Sequence, residues 1–452
     1  MKIAFLTLGC KLNYAETSTY ERGFVAGGLE VVPWEERADA YLVNTCSVTE
    51  RAEKKCRNII RKVHRVAPEA KIVVTGCYAE LRRERLEAIE GVSLLFGAKE
   101  KNRVVADTLA LLRSPAGRAP EASAEKARPA GPFPGSAGAE NPAADPLRES
   151  PLPTILPAYS TGERTRAFLK VQDGCDNFCA YCTVPYARGR SRNIPVATVV
   201  EQAERIAGAG IREIVLTGVN TGDFGRTTGE SFLDLLRRLD EVEGIERYRI
   251  SSIEPNLLTE DIIGWIASGT KFQPHFHIPL QTGSDELLKR VGRRYTTDFF
   301  AERIDCIRSR MDPQPGQREG NLKPFIFFGI DVITGLPGET EAQFEETCSF
   351  LRDRIKPAFL HVFPYSRRPG TRAALWKNQV QDSVKTERVA RLEALSAQLH
   401  ADFLRKNRGR HARVLWESDV KEGRMGGYTG NYIRVERPFD PARINTIEDV
   451  IL

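Results

Sequence analysis

The sequence predicts an α/β protein in three parts: an N-terminal doubly wound parallel-sheet domain, a central incomplete (six-unit) β/α barrel, and a small C-terminal β-barrel. Three observations predict it. Short apolar runs rich in Val and Ile alternate with amphipathic stretches on both sides of one Pro/Ala-rich segment. A long helical pattern at 383–407 closes that alternation. Beyond it the tail changes to short alternating runs separated by glycines. The implied boundaries are a first domain at 1–113, a linker at 114–160, a barrel at 161–400 and a tail at 401–452.

The first domain carries strand-like runs at 2–9 (KIAFLTLG), 39–45 (DAYLVNT) and 71–76 (KIVVTG), with helical stretches at 50–66 and 80–89. Strand–helix alternation of this kind gives a parallel sheet covered on both faces. The linker follows from composition. Nine of the 26 prolines fall between 114 and 153, with almost no large apolar residue to offset the entropy of ordering. Barrel strands are expected at 167–172, 213–217, 247–253, 275–280, 325–334 and 359–364. Between the first two, Val196, Val199, Val200, Ala203 and Ile206 repeat at three and four, one face of a helix. Six units are two short of a closed eightfold barrel. In the tail, 412–417 and 431–436 read as strands with glycine-rich turns, EGRMGGYTGN, between them.

Composition bounds the function. The 452 residues hold 66 Lys and Arg against 60 Asp and Glu, a net charge of +6, and 41% are hydrophobic. That excludes wholesale disorder, and no run approaches the roughly 18 apolar residues of a membrane helix. The first ten residues are too weakly apolar for a signal peptide, so a cytoplasmic enzyme is expected. Nine cysteines without a secretion signal point to metal or redox chemistry rather than disulfides.

Two cysteine sets stand out. Cys175, Cys179 and Cys182 form C-x3-C-x2-C in DGCDNFCAYCTVP. Three thiolates on one short loop can hold three irons of a 4Fe-4S cluster and leave the fourth open. A structural zinc wants a fourth ligand nearby, and no His lies near this loop. Cys10, Cys46 and Cys77 are distant in sequence, yet each directly follows one of the three N-terminal strands. The carboxyl ends of parallel neighbours converge on one crevice, so three thiols meet at one rim, with one iron again left open. Cys56, Cys306 and Cys348 lie inside helical patterns and read as packing residues.

With these motifs the chain resembles the radical S-adenosylmethionine methylthiotransferases over nearly everything except the linker. The Cys175–Cys182 loop, with Tyr181 before its last cysteine, is similar to the radical cluster motif, and Cys10, Cys46 and Cys77 to the auxiliary-cluster cysteines. The strings YARGRSRN, VLTGVN, ISSIEP, HIPLQTGSD, VITGLPGET and FPYSRRPGT occur in the family's order, and the tail resembles the RNA-binding TRAM module. LGCKLNYAET is most similar to the branch acting on N6-threonylcarbamoyladenosine in tRNA; the branches acting on isopentenyladenosine tRNA and on a ribosomal protein side chain usually differ after this cysteine.

The resemblance implies two 4Fe-4S clusters and S-adenosylmethionine. The cluster on Cys175, Cys179 and Cys182 would bind S-adenosylmethionine and generate the 5′-deoxyadenosyl radical. The one on Cys10, Cys46 and Cys77 would carry sulfur to carbon 2 of the adenine at position 37. Tyr181, Gly218, Gln281, Ser284, Gly335 and Gly338 are the implied cofactor and nucleoside contacts, with no catalytic side chain beyond the cluster ligands. Implied partners are tRNA, an electron donor and a sulfur source, with no membrane. A non-catalytic iron–sulfur RNA-binding protein is the rival from another class, although such a module has no need of an open iron. Arg188, Arg190 and Arg192 read either as a solvated face or as phosphate contacts. The tail from 405 holds ten Lys/Arg against seven Asp/Glu, a modest excess that fits RNA. His275, His277 and His361 read as core or lining residues rather than metal ligands.

Overall fold

A computed structural model of the chain describes residues 1–114, 155–162, 165–314 and 322–452. The proline-rich stretch assigned to the linker lies, from 115 to 154, outside the described residues. The chain forms two compact units. One comprises Met1–Ser160, Gln172–Ile194 and Ser366–Leu375; the other comprises Thr161–Val171, Pro195–Tyr365 and Trp376–Leu452.

The first unit is built on a five-stranded parallel sheet. Its strands are β1 (Lys2–Thr7), β2 (Glu30–Val32), β3 (Ala40–Thr45), β4 (Lys71–Gly76) and β5 (Val92–Phe96), in the order β2-β1-β3-β4-β5. Helices α1 (Lys11–Ala26), α2 (Glu50–Val66), α3 (Cys77–Leu81), α4 (Arg83–Glu87) and α5 (Val104–Arg113) complete the alternation. Every residue of β3 is buried, as a central strand covered on both faces must be. Alternate side chains feed two cores. Tyr41, Val43, Ile72 and Val74 meet Cys56, Ile60 and Val63 of α2 on one side. Ile3, Ala40, Leu42 and Val73 meet Tyr20 and Phe24 of α1 on the other. The reading from sequence missed β2 and β5, which are short edge strands with little apolar contrast.

To this sheet the unit adds the cysteine loop at 172–194. Its base is a two-residue antiparallel ribbon, β7 (Gln172–Asp173) with β8 (Arg192–Asn193), and it contains the short helix α6 (Val184–Arg188). Arg368 also reaches this unit's core, where it pairs with buried Glu53 and donates to Ser47 Oγ at 3.1 Å.

The second unit contains β6 (Arg166–Lys170), β9 (Glu213–Thr217), β10 (Arg247–Ile250), β11 (His275–Gln281), β12 (Phe327–Thr334) and β13 (Phe359–Pro364). They pair in parallel as β10-β9-β6 and β11-β12-β13, and single parallel bridges, Tyr248–Phe272 and Ser252–His277, join the two groups. This is the open six-stranded barrel expected from sequence. Asp382–Asn407 forms one long helix, packed on β13.

The tail forms a curled antiparallel half-barrel: β14 (His411–Lys421), β15 (Arg424–Thr429), β16 (Arg434–Pro438) and β17 (Ile447–Ile451), ordered β16-β15-β14-β17. Here the structure corrects the reading of EGRMGGYTGN as turns throughout. Turns occupy Glu422–Gly423, both at positive φ, and Gly430–Asn431, and β15 runs between them through Gly426 and Gly427. A Cβ at Gly427 would stand 2.5 Å from Val414 Cγ1 and 2.9 Å from the Trp416 ring, so close strand crossing, not a bend, requires that glycine.

A buried carboxylate joins tail and barrel. Glu213 on β9 accepts from Arg249 Nε on β10 at 2.7 Å and faces Arg247 at 3.7 Å and Arg166 at 3.9 Å. The two β10 arginines then donate outward to the tail. Arg249 reaches the carbonyls of Gly430 (2.8 Å) and Thr429 (2.7 Å), and Arg247 those of Tyr428 (3.1 Å) and Arg413 (2.6 Å). Burial alone would raise the Glu213 carboxyl, but Arg249, Arg166 and Arg247 hold it below its usual range. Replacing Glu213 with Gln strands these cations and should cost about 3–5 kcal/mol in denaturant unfolding near neutral pH. A depressed carboxyl stabilises only while it is ionised. The difference from wild type should therefore be full above the ordinary glutamate value of 4.5 and shrink as pH falls below it.

Candidate active site

The strand order makes β1, β3 and β4 consecutive, and their carboxyl ends carry Cys10, Cys46 and Cys77 at one rim. Glycines make the exits possible. Gly9 has φ +114, and a Cβ there would lie 2.9 Å from Asn13 Nδ2 and 3.0 Å from Cys46 Cβ. Gly76 has φ +101, with the Thr45 carbonyl 2.4 Å from where its Cβ would be. Each lets the chain leave its strand and start a helix at once, with Cys10 capping α1 and Cys77 opening α3. Burial and the neighbouring Cys77 and Cys10 push the Cys46 thiol up to about 12. Burial also raises Cys77, with Arg188 and Lys101 pulling against it. A metal bound at this rim would therefore expel protons.

Cys175, Cys179 and Cys182 sit in the same compact unit. Gly174, at φ +76, starts the loop, and Cys175 N donates to the Gly189 carbonyl across its neck at 3.2 Å. Two amides point at cysteine sulfurs: Asn177 N at Cys175 Sγ (3.5 Å) and Val184 N at Cys182 Sγ (3.4 Å). Such bonds stabilise thiolate ligands of iron–sulfur clusters. Tyr181 is half-buried beside Cys182.

Between the two cysteine sets lies a buried ion network that the sequence reading missed. Arg188, at the end of α6, donates to Asp173 Oδ1 (3.0 Å), Glu16 Oε1 (3.2 Å) and Asn13 Oδ1 (2.6 Å). Lys101 donates to Glu16 Oε1 at 2.8 Å, and Arg192 lies 3.6 Å from Asp173 Oδ2. Asn13 in turn donates to the Leu8 and Thr45 carbonyls, at the ends of β1 and β3. Ala187 and Tyr186 of α6 pack on Cys77 and Leu81 of α3. Arg188 and Arg192 are 2% and 4% exposed, which removes them as phosphate contacts and as a solvated face. Arg190 is partly exposed and stands 3.5 Å from Asp176. The only signal in the sequence was the weak one of an acidic residue before the loop and alternating arginines after it.

In the second unit the expected cofactor contacts stand at carboxyl ends of barrel strands. Gly218 follows β9, Gln281 ends β11, Ser284 caps the helix Asp285–Val291, and Gly335 and Gly338 follow β12. Gln281 adopts φ 73 at a register shift in β11, a conformation that non-glycine residues hold at a cost and that clusters at functional sites. Gly335 and Gly338 are also at positive φ. A Cβ at either would lie 2.4 Å from the Lys385 or Arg290 side chain, respectively. Gly335 N donates to buried Glu339 at 2.6 Å, which Arg388 holds at 2.8 Å; neither side chain was singled out from sequence.

His277, Asp331 and His361, on β11, β12 and β13, bring one ligand atom each to within 4.8 Å of one another. His277 Nε2 is 2.6 Å from Asp331 Oδ1, and the two imidazoles tilt at 4.6 Å. His275 stacks on Phe327 at 5.2 Å, a packing role as expected. Among the described residues this is the one trio drawn in around a single-ion volume, so neither cysteine set is. Cysteines of a four-iron cluster each meet a different iron and stand wider apart.

Comparison with known proteins decides the family. Residues 2–97 match the Uncharacterized protein family UPF0004, and residues 169–351 match the Radical SAM superfamily. The threonylcarbamoyladenosine tRNA methylthiotransferase MtaB of Bacillus subtilis is 38% identical over 96% of this chain and 89% of its own. The protein of that name from Aquifex aeolicus is 35% identical over 97% of both chains. The chain belongs to the radical S-adenosylmethionine methylthiotransferases. A tRNA-2-methylthio-N(6)-dimethylallyladenosine synthase of Wolinella succinogenes is also 31% identical over 96% of this chain and 93% of its own. Among solved structures, the radical S-adenosylmethionine methyltransferase TsrM of Kitasatospora setae shares the fold, with TM-score 0.55 and 17% identity over 83% of this chain and 77% of that one.

Methylthiotransferases of this type use S-adenosylmethionine and two 4Fe-4S clusters. The residues fit them: six soft sulfur donors in two sets of three, one set with amides aimed at sulfur, the other linked through Asn13 Oδ1 to buried Arg188. Anaerobically reconstituted protein should hold about eight irons, and Cys56→Ser should keep them all, because Cys56 is committed to the α2 core. Cys77→Ser should lose iron towards about four, read by iron and sulfide analysis.

Proposed function

We propose that this protein methylthiolates carbon 2 of N6-threonylcarbamoyladenosine next to the anticodon of tRNA, with Cys175, Cys179 and Cys182 holding one cluster and Cys10, Cys46 and Cys77 the other. The observation that carries the reading is the gathering of three strand-end cysteines and the C-x3-C-x2-C loop into one compact unit. The near full-length identity to threonylcarbamoyladenosine enzymes favours that substrate.

The chemistry needs cofactors, because no side chain activates the C–H bond of an adenine ring. When bound, S-adenosylmethionine and the clusters supply the electron, the radical and the sulfur. The chain's own part is to hold and orient. Gly9 and Gly76 turn their cysteines to one rim, and the amides of Asn177 and Val184 favour thiolate on the loop. Tyr181, Gly218, Gln281, Ser284, Gly335 and Gly338 would contact S-adenosylmethionine and the nucleoside.

The half-barrel tail is assigned to tRNA as a TRAM-like module, supported by Arg413, Arg424 and Arg434, which stay about half-exposed while facing Glu246 or Glu436 and could exchange those surface carboxylates for phosphate. Its partner would be the phosphate backbone, with salt-dependent affinity. Since Arg247 and Arg249 depend on tail carbonyls, removing the tail would disturb the barrel. Substitution of exposed arginines tests RNA binding more cleanly. An electron donor and a sulfur source complete the partners, and a cytoplasmic setting suits a tRNA substrate. No helix among the described residues is long and apolar enough to cross a membrane.

The test separates the two cysteine sets. Ala at Cys10, Cys46 and Cys77 should leave 5′-deoxyadenosine formation under reducing conditions but give no methylthiolated tRNA. Both products would be assayed in one anaerobic reaction, with tRNA bearing threonylcarbamoyladenosine or isopentenyladenosine. Methylthiolation by that variant would refute the role of the strand-end cysteines. Preference of the wild-type enzyme for isopentenyladenosine would overturn the substrate.

A further inference from the structure

Five charged side chains beneath the strand-end cysteines are at most 5% exposed: Arg188, Lys101 and Arg192 against Glu16 and Asp173. Three cations face two carboxylates in this network. Buried cations stabilise an anion brought beside them, because little solvent screens the attraction. The rim supplies one only when loaded. Neutral thiols offer no counter-charge, whereas three thiolates around an iron–sulfur core are anionic and become more so on reduction.

Arg188 is the cation best placed to act. Its Nη2 holds Asn13 Oδ1 at 2.6 Å, the same oxygen that Cys10 Sγ approaches at 3.8 Å, and the preceding Ala187 packs on Cys77. Glu16 and Asp173 fix the guanidinium from the other side. Asn13 also ties the ends of β1 and β3, so a shift of Arg188 reaches the exits that carry Cys10 and Cys46.

We propose that Arg188 is a positioning residue that supplies the counter-charge of the cluster on Cys10, Cys46 and Cys77 and sets its reduction potential. A nearby fixed cation favours the more negative, reduced state and so raises the potential. Glu16, which moderates that cation, has the opposite effect. The inference rests on the assignment of those cysteines as ligands.

The experiment uses full-length protein carrying Cys175→Ala, Cys179→Ala and Cys182→Ala, reconstituted anaerobically, so that the remaining cluster alone is read. Its midpoint potential is measured by redox titration with electron paramagnetic resonance. Arg188→Met should lower the potential by at least a tenfold change in the reduction equilibrium, 59 mV for one electron. Glu16→Gln should raise it, and Arg188→Lys should stay near the parent. Should Arg188→Met fail to fold, the Glu16→Gln and Arg188→Lys pair still decides. Potentials equal to the parent in Glu16→Gln, or shifted downward, overturn the proposal while iron content confirms the cluster. A parent without iron overturns the ligand assignment and this inference with it.

Discussion

The arrangement of the first unit depends on one buried interaction, the grip of Arg188 on Asp173, Glu16 and Asn13. Its partners come from distant parts of the chain: α1, the ribbon before the cysteine loop, and the helix after it. The loop is also held by the apolar contact of Ala187 and Tyr186 with α3, and by Arg372 and Ala373, which donate to the Phe178 (3.0 Å) and Ala180 (2.9 Å) carbonyls. A guanidinium bonded to two carboxylates and an amide is directional, as apolar packing is not, and therefore fixes orientation. Breaking such a pair strands a buried charge, so the fold is committed to it.

The second unit uses the same device for another purpose. Glu213 gathers Arg249, Arg247 and Arg166, and the β10 arginines extend to four tail carbonyls. Tyr432 and Tyr428 stack at 4.9 Å beside Arg166 and Arg249. The half-barrel is thus continuous with the barrel in hydrogen bonding and is not an appendage on a linker. Its four strands are too few to close on themselves, and this anchoring supplies order that its small core of Val414, Trp416 and Met425 provides only in part.

Much of this was legible in sequence because it rests on local pattern. The six barrel strands announced themselves as apolar runs, and the strand-end cysteines were readable because parallel topology converts "Cys after a strand" into "Cys at one rim". The edge strands Glu30–Val32 and Val92–Phe96 carry no clear periodicity, and β15 was hidden by glycines that a strand crossing, rather than a turn, requires. The buried networks were illegible for a deeper reason. Arg188 reads as surface because most arginines are, and its burial depends on Glu16, Asp173 and Asn13, which only the fold brings together. Likewise His277, Asp331 and His361 reveal their proximity through register, since Asp331 and His361 are paired across β12 and β13.

Native-state hydrogen exchange tests the central claim most directly, because it reports which segments open together. The account predicts that amides of the cysteine loop and α6 are protected in step with β1, β3 and β4, and that Arg188→Lys lowers protection in loop and α1 alike. Loop amides that open together with β9 to β12 while the N-terminal sheet stays closed, or that ignore the Arg188 substitution, would contradict it.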